Sequence, residues 1–282
     1  MKASKRIVYD GKNNVVLNGL SIIAGDRPAI EISNCTNLRI SGCNLSNGTG
    51  VEALGIKLFR CINVTIEDCY LTNLSSGVLA STSTRVYING NKMLNMQGPM
   101  PRGQFVQFID CYGSGNKIMN NRLENTLGKS RPEDAISIYQ SDGTPDSPIT
   151  VQGNWIRGGG PSKTGGGICL GDGGGGWQVA SDNILVNPGQ YGIGIASGQN
   201  MSILRNKVFA SQSEFTNVGI LAWNQYLKPC GNINIDGNEV NWTASAGYKN
   251  PFWNGNNCGL IAGNNNNWDS DITVDVLPLK MF

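Results

Sequence analysis

The sequence predicts an all-β fold, a right-handed parallel β-helix of about ten coils formed by residues 1–282 as one domain. Three observations predict it: a short motif that recurs along the whole chain, a second set of apolar pairs that can be aligned independently of the first, and a composition rich in turn formers but poor in charge. The motif is an aliphatic residue, two further residues, Asn or Cys, any residue, and a second aliphatic. It reads Val15-Val16-Leu17-Asn18-Gly19-Leu20, then Ile40-Ser41-Gly42-Cys43-Asn44-Leu45 and Ile66-Glu67-Asp68-Cys69-Tyr70-Leu71. It returns as Ile88-Asn89-Gly90-Asn91-Lys92-Met93, Ile118-Met119-Asn120-Asn121-Arg122-Leu123 and Val151-Gln152-Gly153-Asn154-Trp155-Ile156. Ile203-Leu204-Arg205-Asn206-Lys207-Val208 and Ile235-Asp236-Gly237-Asn238-Glu239-Val240 follow, with a looser copy at Ala180-Ser181-Asp182-Asn183-Ile184-Leu185. The Asn/Cys positions recur at about 22 to 33 residues, the period of stacked repeat architectures.

Each repeat has a local rationale. Alternating aliphatics turn one face of a short strand inward. Asn and Gly between them suit a sharp bend, because both tolerate a left-handed backbone. Stacked copies place Asn above Asn, with amides free to bond along the stack; Cys43 and Cys69 would continue that ladder. The second strand of each coil shows inward pairs Ile30/Ile32, Ile56/Leu58, Val78/Ala80, Val106/Phe108, Ile136/Ile138, Ile168/Leu170, Ile193/Ile195, Ile220/Ala222 and Leu260/Ala262. At about 4.8 Å per coil, ten coils make a rod on the order of 48 Å long. Both ends of a parallel stack need covering, and Asp271 to Phe282 is the expected cap.

Composition narrows the function classes. Gly numbers 38 and charged residues are 15% of the 282 residues, too few charges for an ordinary globular surface. Regular apolar spacing argues against disorder. A net charge of +2 does not suit a phosphate-binding surface, so no nucleic-acid partner is expected. The absence of His removes imidazole bases and His-based zinc sites. No segment is apolar enough to span a bilayer, so no membrane partner is expected. Met1 to Asp10 lacks the apolar core of a signal peptide, so the chain is either intracellular or begins after a removed signal. A polysaccharide target would place it in the extracellular or periplasmic space.

The coil pattern and its Asn ladder resemble the pectate-lyase-like superfamily of right-handed parallel β-helices. The resemblance covers nearly the whole chain and concerns fold. It implies a groove along the long strand stack and, among its members, polysaccharide lyases, hydrolases, epimerases, phage tailspikes and proteins without known activity. The Asp-Pro-His-Asp motif of alginate epimerases is missing, and no catalytic residue is carried over.

The candidate site therefore rests on residues. The first polar position after each inward pair gives Asn34, Arg60, Thr82, Asp110, Gln140, Asp172, Ser197, Asn224 and Asn264. Asp110 and Asp172 fall two coils apart, about 9.6 Å, with Gln140 between them, a spacing suited to an inverting glycosidase. Three extended segments, 97–103, 125–133 and 158–165, precede consecutive copies of this strand and carry Arg102, Lys129, Arg131, Glu133 and Lys163. Extended loops at neighbouring coils suggest a functional wall. Cations beside carboxylates fit an acidic, uronate-containing polysaccharide, cleaved by hydrolysis or by β-elimination. In elimination Lys129, Arg131 or Lys163 would serve as base if neighbouring cations lowered its pKa. Calcium could replace the neutralising cations, with Asp142 and Asp146 donating oxygens, although their spacing matches no calcium loop. Arg60, Arg102, Gln140, Tyr139 and Trp223 are expected to bind substrate, the aromatics by stacking on sugar rings. Trp242, Phe252, Trp253 and Trp268 are expected to pack the C-terminal end. A glycan-binding or structural module without catalysis is the competing expectation, and bland roles as solvated turn residues compete at each position. The 8 Cys are expected mainly as buried thiols within the stack.

Overall fold

One coil shows how the sequence folds. Ile30–Ser33, Thr36–Ser41 and Asn44–Asn47 are three short strands joined by turns too tight for more than a residue or two. Ile30, Ile32, Ile40 and Leu45 point inward and are fully buried, and their neighbours within the strands are partly or largely exposed. Each such side chain contributes about 1.5–3 kcal/mol of burial. The computed structural model describes residues 1–48 and 53–282. Adjacent coils pair in parallel, Ile30 against Ile56 and Ile32 against Leu58, and the same register continues upward. Among the described residues, one face is a sheet of ten strands and the other two faces merge into a 19-stranded sheet. They merge because Ile168–Ser181 runs from one face into the next without a break.

The inward pairs from Ile30/Ile32 to Ile220/Ala222 lie in one stack, hereafter the groove stack. Leu260/Ala262 does not belong to it. Phe252–Asn254 pairs with Ile220–Ala222 instead, and Ile261–Ala262 pairs with Ile233–Asn234 on the next face. The residues after the pairs have a structural duty. Asn34, Arg60, Thr82, Asp110 and Gln140 all adopt φ between 46° and 52°, so this column is the left-handed turn that closes the strand. A second, exposed column of left-handed residues bonds side chain to side chain, Asn63 to Asn37 and Asn37 to Asn14, at 2.8 and 3.0 Å.

The asparagine ladder stands where the repeat places it. Asn91, Asn121, Asn154, Asn183, Asn206 and Asn238 are fully buried. From Asn121 upward, the side-chain Oδ1 of each accepts both the backbone N–H and the side-chain amide of the residue one coil below, as Asn154 does from Asn121 at 3.0 and 2.9 Å. The remaining amide hydrogen reaches a backbone carbonyl, as from Asn154 to Ile118 at 3.0 Å. Every buried polar atom of the column is thereby satisfied. Cys69 continues it by donating its N–H to Asn91, and Asn266 closes it above Asn238. Asn18 lies outside it: Leu17 pairs with Ile40 and Asn18 with Ser41, so Leu20 takes the place corresponding to Cys43.

A continuous core runs from Leu17 to Cys258. Cys35, Cys43, Cys61, Cys69, Cys111 and Cys169 are buried free thiols, whereas Cys230 and Cys258 form a disulfide between neighbouring coils. The C-terminal tail does not cap the rod. It runs back along the outside of the ten-stranded face: Arg157 donates to the carbonyls of Pro278 and Leu279, Arg122 to that of Met281, and Phe282 meets Tyr70 edge-on. Leu277 and Met281 cover Val186 there, because Trp155, Ile184 and Phe209 would otherwise present an apolar stripe to water. At the C-terminal end, Phe252 stacks on Trp268 and Trp242 is fully buried.

Candidate functional site

The groove stack bears a cleft of about 730 Å3 on its outer face. Its floor is the outward positions of successive strands, Gln107, Tyr139, Cys169, Gly194 and Leu221, ending in Trp223 and Trp253. One wall comes from the turns entering the strands, with Met100, Pro101, Glu133, Lys163 and Thr164. The other carries Gln225 and Tyr226. The extended segments do border a cleft, because residues added at adjacent corners of stacked coils must lie beside one another.

Two carboxylates meet in it. Asp134 stands two residues before the inward Ile136, at the entry of Ile136–Asp142. Its Oδ1 accepts the Gly166 N–H at 3.0 Å and the Tyr191 hydroxyl at 2.5 Å. Gly166 is required there, since a Cβ would sit 2.6 Å from the Tyr191 ring. Asp172 belongs to the next strand and reaches the cleft through a β-bulge. Ser137 pairs with Cys169, but Tyr139 pairs with Asp172, so one extra residue is spent between them. Gly171 makes that turn with φ +64, and any Cβ on it would lie 1.9 Å from the Ser197 carbonyl. Asp172 Oδ1 accepts the Tyr226 hydroxyl at 2.6 Å and Oδ2 accepts Ser137 at 3.1 Å. An oxygen of Asp134, an oxygen of Asp172 and the Cys169 sulfur all lie within 4.8 Å of one another.

The two acids differ in environment. Burial raises the Asp134 carboxyl from the ordinary 3.8 to about 7, and the nearby Asp172 charge adds to this, while the Tyr191 hydrogen bond opposes it. Asp134 thus carries a proton into the neutral range, and Oδ2, free of the two donors on Oδ1, is the atom to hold it. Asp172 has two hydroxyl donors and is partly exposed. Such pairs of unequal carboxyls divide acid and base work between them. Burial also drives the Cys169 thiol well above its ordinary value, and beside two acids it stays protonated.

The residues expected from the sequence separate in space. Asp172, Tyr139, Trp223 and Lys163 line the cleft. Arg102 stands behind its edge, donating to Gln107 Oε1 at 2.9 Å, half-buried, with its pKa lowered by desolvation. Asp110 and Gln140 occupy the left-handed turn, and Gln140 borders a separate shallow hollow with Asp142 and Tyr112. Asp110 and Asp172 therefore do not share a column. Lys129 and Arg131 are exposed and do not line the cleft; a charge in water keeps its hydration. Arg60 lies coils away, over the Phe59 ring at 4.8 Å. Trp253, expected in the end packing, is 43% exposed and faces the cleft. Asp142 and Asp146 form no ligand cluster; among the described residues the one group of three metal-ligating types is Asp134, Cys169 and Asp172. A protonated thiol is a poor partner for calcium, which takes six to eight oxygens.

Asp134, Tyr191 and Tyr226 were not legible as site residues. One signal was available for Asp134. The positions two before the inward pairs read Ser76, Gln104, Asp134 and Gly166, and a lone acid in an otherwise neutral column next to Ala135 stands out.

The model of the family described as right handed beta helix region matches residues 3–93 and 55–209. The chain belongs to the right-handed β-helix region family. No curated protein matches it. Among solved structures, this β-helix is similar to the enzymatically active domain of tailspike protein 2 of bacteriophage CBA120, at 10% identity and a TM-score of 0.52, over 94% of this chain and 41% of that one. It is also similar to a tailspike protein of E. coli bacteriophage HK620 in complex with a pentasaccharide, at 15% identity and a TM-score of 0.48, over 90% and 47%. A third is the catalytic domain of a GH87 alpha-1,3-glucanase in complex with tetrasaccharides, at 12% identity and a TM-score of 0.42, over 95% and 64%. The chain spans less than half the length of the two tailspike structures. Among the described residues no helix is long and apolar enough to cross a membrane.

Proposed function

We propose that this β-helix hydrolyses a glycosidic bond of a polysaccharide lying along the groove stack, with Asp134 as general acid and Asp172 as nucleophile. One observation carries the proposal: a carboxyl that burial keeps protonated near neutrality approaches an anchored, partly exposed carboxylate to within 4.8 Å inside a cleft. Carboxyls about 5–5.5 Å apart suit retention, and those about 6.5–9.5 Å apart suit inversion. In the first step Asp134 gives its proton to the leaving oxygen as the bond to the anomeric carbon breaks, and an Asp172 oxygen forms the new bond to that carbon. In the second, Asp134, now a carboxylate, takes a proton from water. That water displaces Asp172 from the anomeric carbon and restores both groups. Tyr226 and Ser137 orient Asp172, each donating a hydroxyl to one of its oxygens.

β-Elimination has less support. It requires neutralisation of a substrate carboxylate, and of the three expected cations Lys129 and Arg131 stand outside the cleft, leaving Lys163, exposed to water, at its wall. A polysaccharide target would place the activity outside the cytoplasm.

The test is reducing-end release across a broad polysaccharide panel by the native protein and by Asp134→Asn and Asp172→Asn. Hydrolysis predicts release without ultraviolet absorbance of an unsaturated product, loss of at least about a hundredfold in either variant, and a first-formed sugar of the substrate's anomeric configuration by proton NMR. Absorbance at the unsaturated product's wavelength would replace hydrolysis with elimination. Binding without any release would leave a glycan-binding module.

A further inference from the structure

Resting on the hydrolytic reading above, we infer that the cleft takes a neutral glycan, bearing hydroxyls or acetamido groups, and discriminates against uronate chains. The first observation is charge. Among the described residues the ionisable side chains lining the cleft, apart from tyrosines and Cys169, are Glu133, Asp134, Asp172 and Lys163. With Asp134 protonated they sum to two negative charges and one positive, a net charge of −1. Lys163 is exposed, so water screens it, whereas the acids are buried or half-buried. Arg102 is spent on Gln107 behind the edge. A polymer with one carboxylate per sugar would meet this field at every residue, and like charges brought together in a cleft cost several kcal/mol.

The second observation is the polar lining. Gln190, Asn217 and Gln225 border the cleft, and their side-chain amides make no hydrogen bond to the protein among the described residues. Asn250 spends only its Nδ2, on the Asn217 carbonyl at 2.9 Å. A primary amide offers donors and an acceptor without charge, which matches sugar hydroxyls and acetamides. A carboxylate needs donors alone, preferably cationic.

The third is the apolar end. Trp223 and Trp253 meet edge-to-face at 5.6 Å between ring centroids and are 41% and 43% exposed. Gly255 lies against the Trp223 indole, so a side chain is absent where it would push the ring aside. Two partly exposed indoles held in a fixed mutual geometry form a platform for the less polar faces of sugar rings. Asp134 stands at the entry of Ile136–Asp142 and Asp172 on Ile168–Ser181, and the strands Tyr191–Ile195 and Val218–Ala222 separate them from Phe252–Asn254, which carries Trp253. Most of the bound polymer therefore lies on the aromatic side of the cut.

The experiment titrates the full chain carrying Asp134→Asn, which binds without turnover and keeps the net charge of the cleft, with neutral, N-acetylated and uronate oligosaccharides of equal length, by calorimetry and indole fluorescence. A neutral or N-acetylated ligand should bind at least about tenfold tighter than any uronate ligand. Trp223→Ala should weaken it about tenfold, a loss of 1.4 kcal/mol, and Lys129→Gln, outside the cleft, should leave it unchanged. Circular dichroism verifies that each variant is folded. Tighter uronate binding that Lys163→Gln abolishes would overturn the inference and leave hydrolysis standing if the native chain cleaves that ligand. Neutral ligands bound by the variant but never cleaved by the native chain would uphold the ligand class and overturn hydrolysis. Binding of no class would overturn both.

Discussion

Asp134→Asn should change how stability depends on pH. The folded chain holds the Asp134 proton up to about pH 7, against an ordinary value of 3.8. Between those two values the folded state binds a proton that the unfolded state has released. The stabilisation is therefore whole below about pH 4 and is lost as pH rises through about 7. Roughly three pKa units at 1.36 kcal/mol each make the total on the order of 4 kcal/mol. Asparagine keeps the Oδ1 that accepts the Tyr191 hydroxyl and the Gly166 N–H, so the variant loses the titration and little else. Urea unfolding of both proteins, at intervals from about pH 4.5 to about pH 8.5, measures the difference. The native chain should lose ground against the variant steadily with pH and level off above about 8. A difference that stays flat across the range, or that grows in favour of the native chain, would show that Asp134 is ionised throughout and would remove its assignment as general acid.

Three further outcomes follow from the same structure. Tyr191→Phe removes the donor that opposes burial at Asp134, so the basic limb of the pH–rate profile should move upward; a hydrogen bond to a charged group is worth about 1.5–3 kcal/mol, or about one to two pH units. Asn154→Leu strips the acceptor from both Asn121 donors and should cost roughly 3–5 kcal/mol in denaturant unfolding; a loss under about 1 kcal/mol would deny the ladder its structural role. Reduction of Cys230–Cys258, or Cys230→Ser, opens a loop with a sequence separation of 28 and should cost about 3–4 kcal/mol by chain entropy, read as a lower thermal midpoint with the fold retained by circular dichroism.

The sequence alone carried the coil. Aliphatic alternation, inward pairs from Ile30/Ile32 to Ile220/Ala222, and the Asn and Cys of the ladder were all readable, because each depends on a period-two face or on one residue stacking over its counterpart a coil away. Asn18 and Leu260 misled for the same reason: at the ends of the rod a neighbouring coil no longer confirms the register, so a slip of two residues at Asn18 and of a whole strand at Leu260 still satisfies the local pattern. The tail's course was equally hidden, since what it covers is an apolar stripe that exists only once Trp155, Ile184 and Phe209 stand in line. The candidate site was decided by tertiary structure. A uniform column placed Asp172 above Gln140, but a bulge of one residue moved it opposite Tyr139 and toward Asp134. The basic loops were legible as loops, yet the direction of Lys129 and Arg131 followed from hydration. Asp134 became an acid with a distinctive proton only through burial beneath Tyr191, a contact that spans 57 residues of chain and has no local signature.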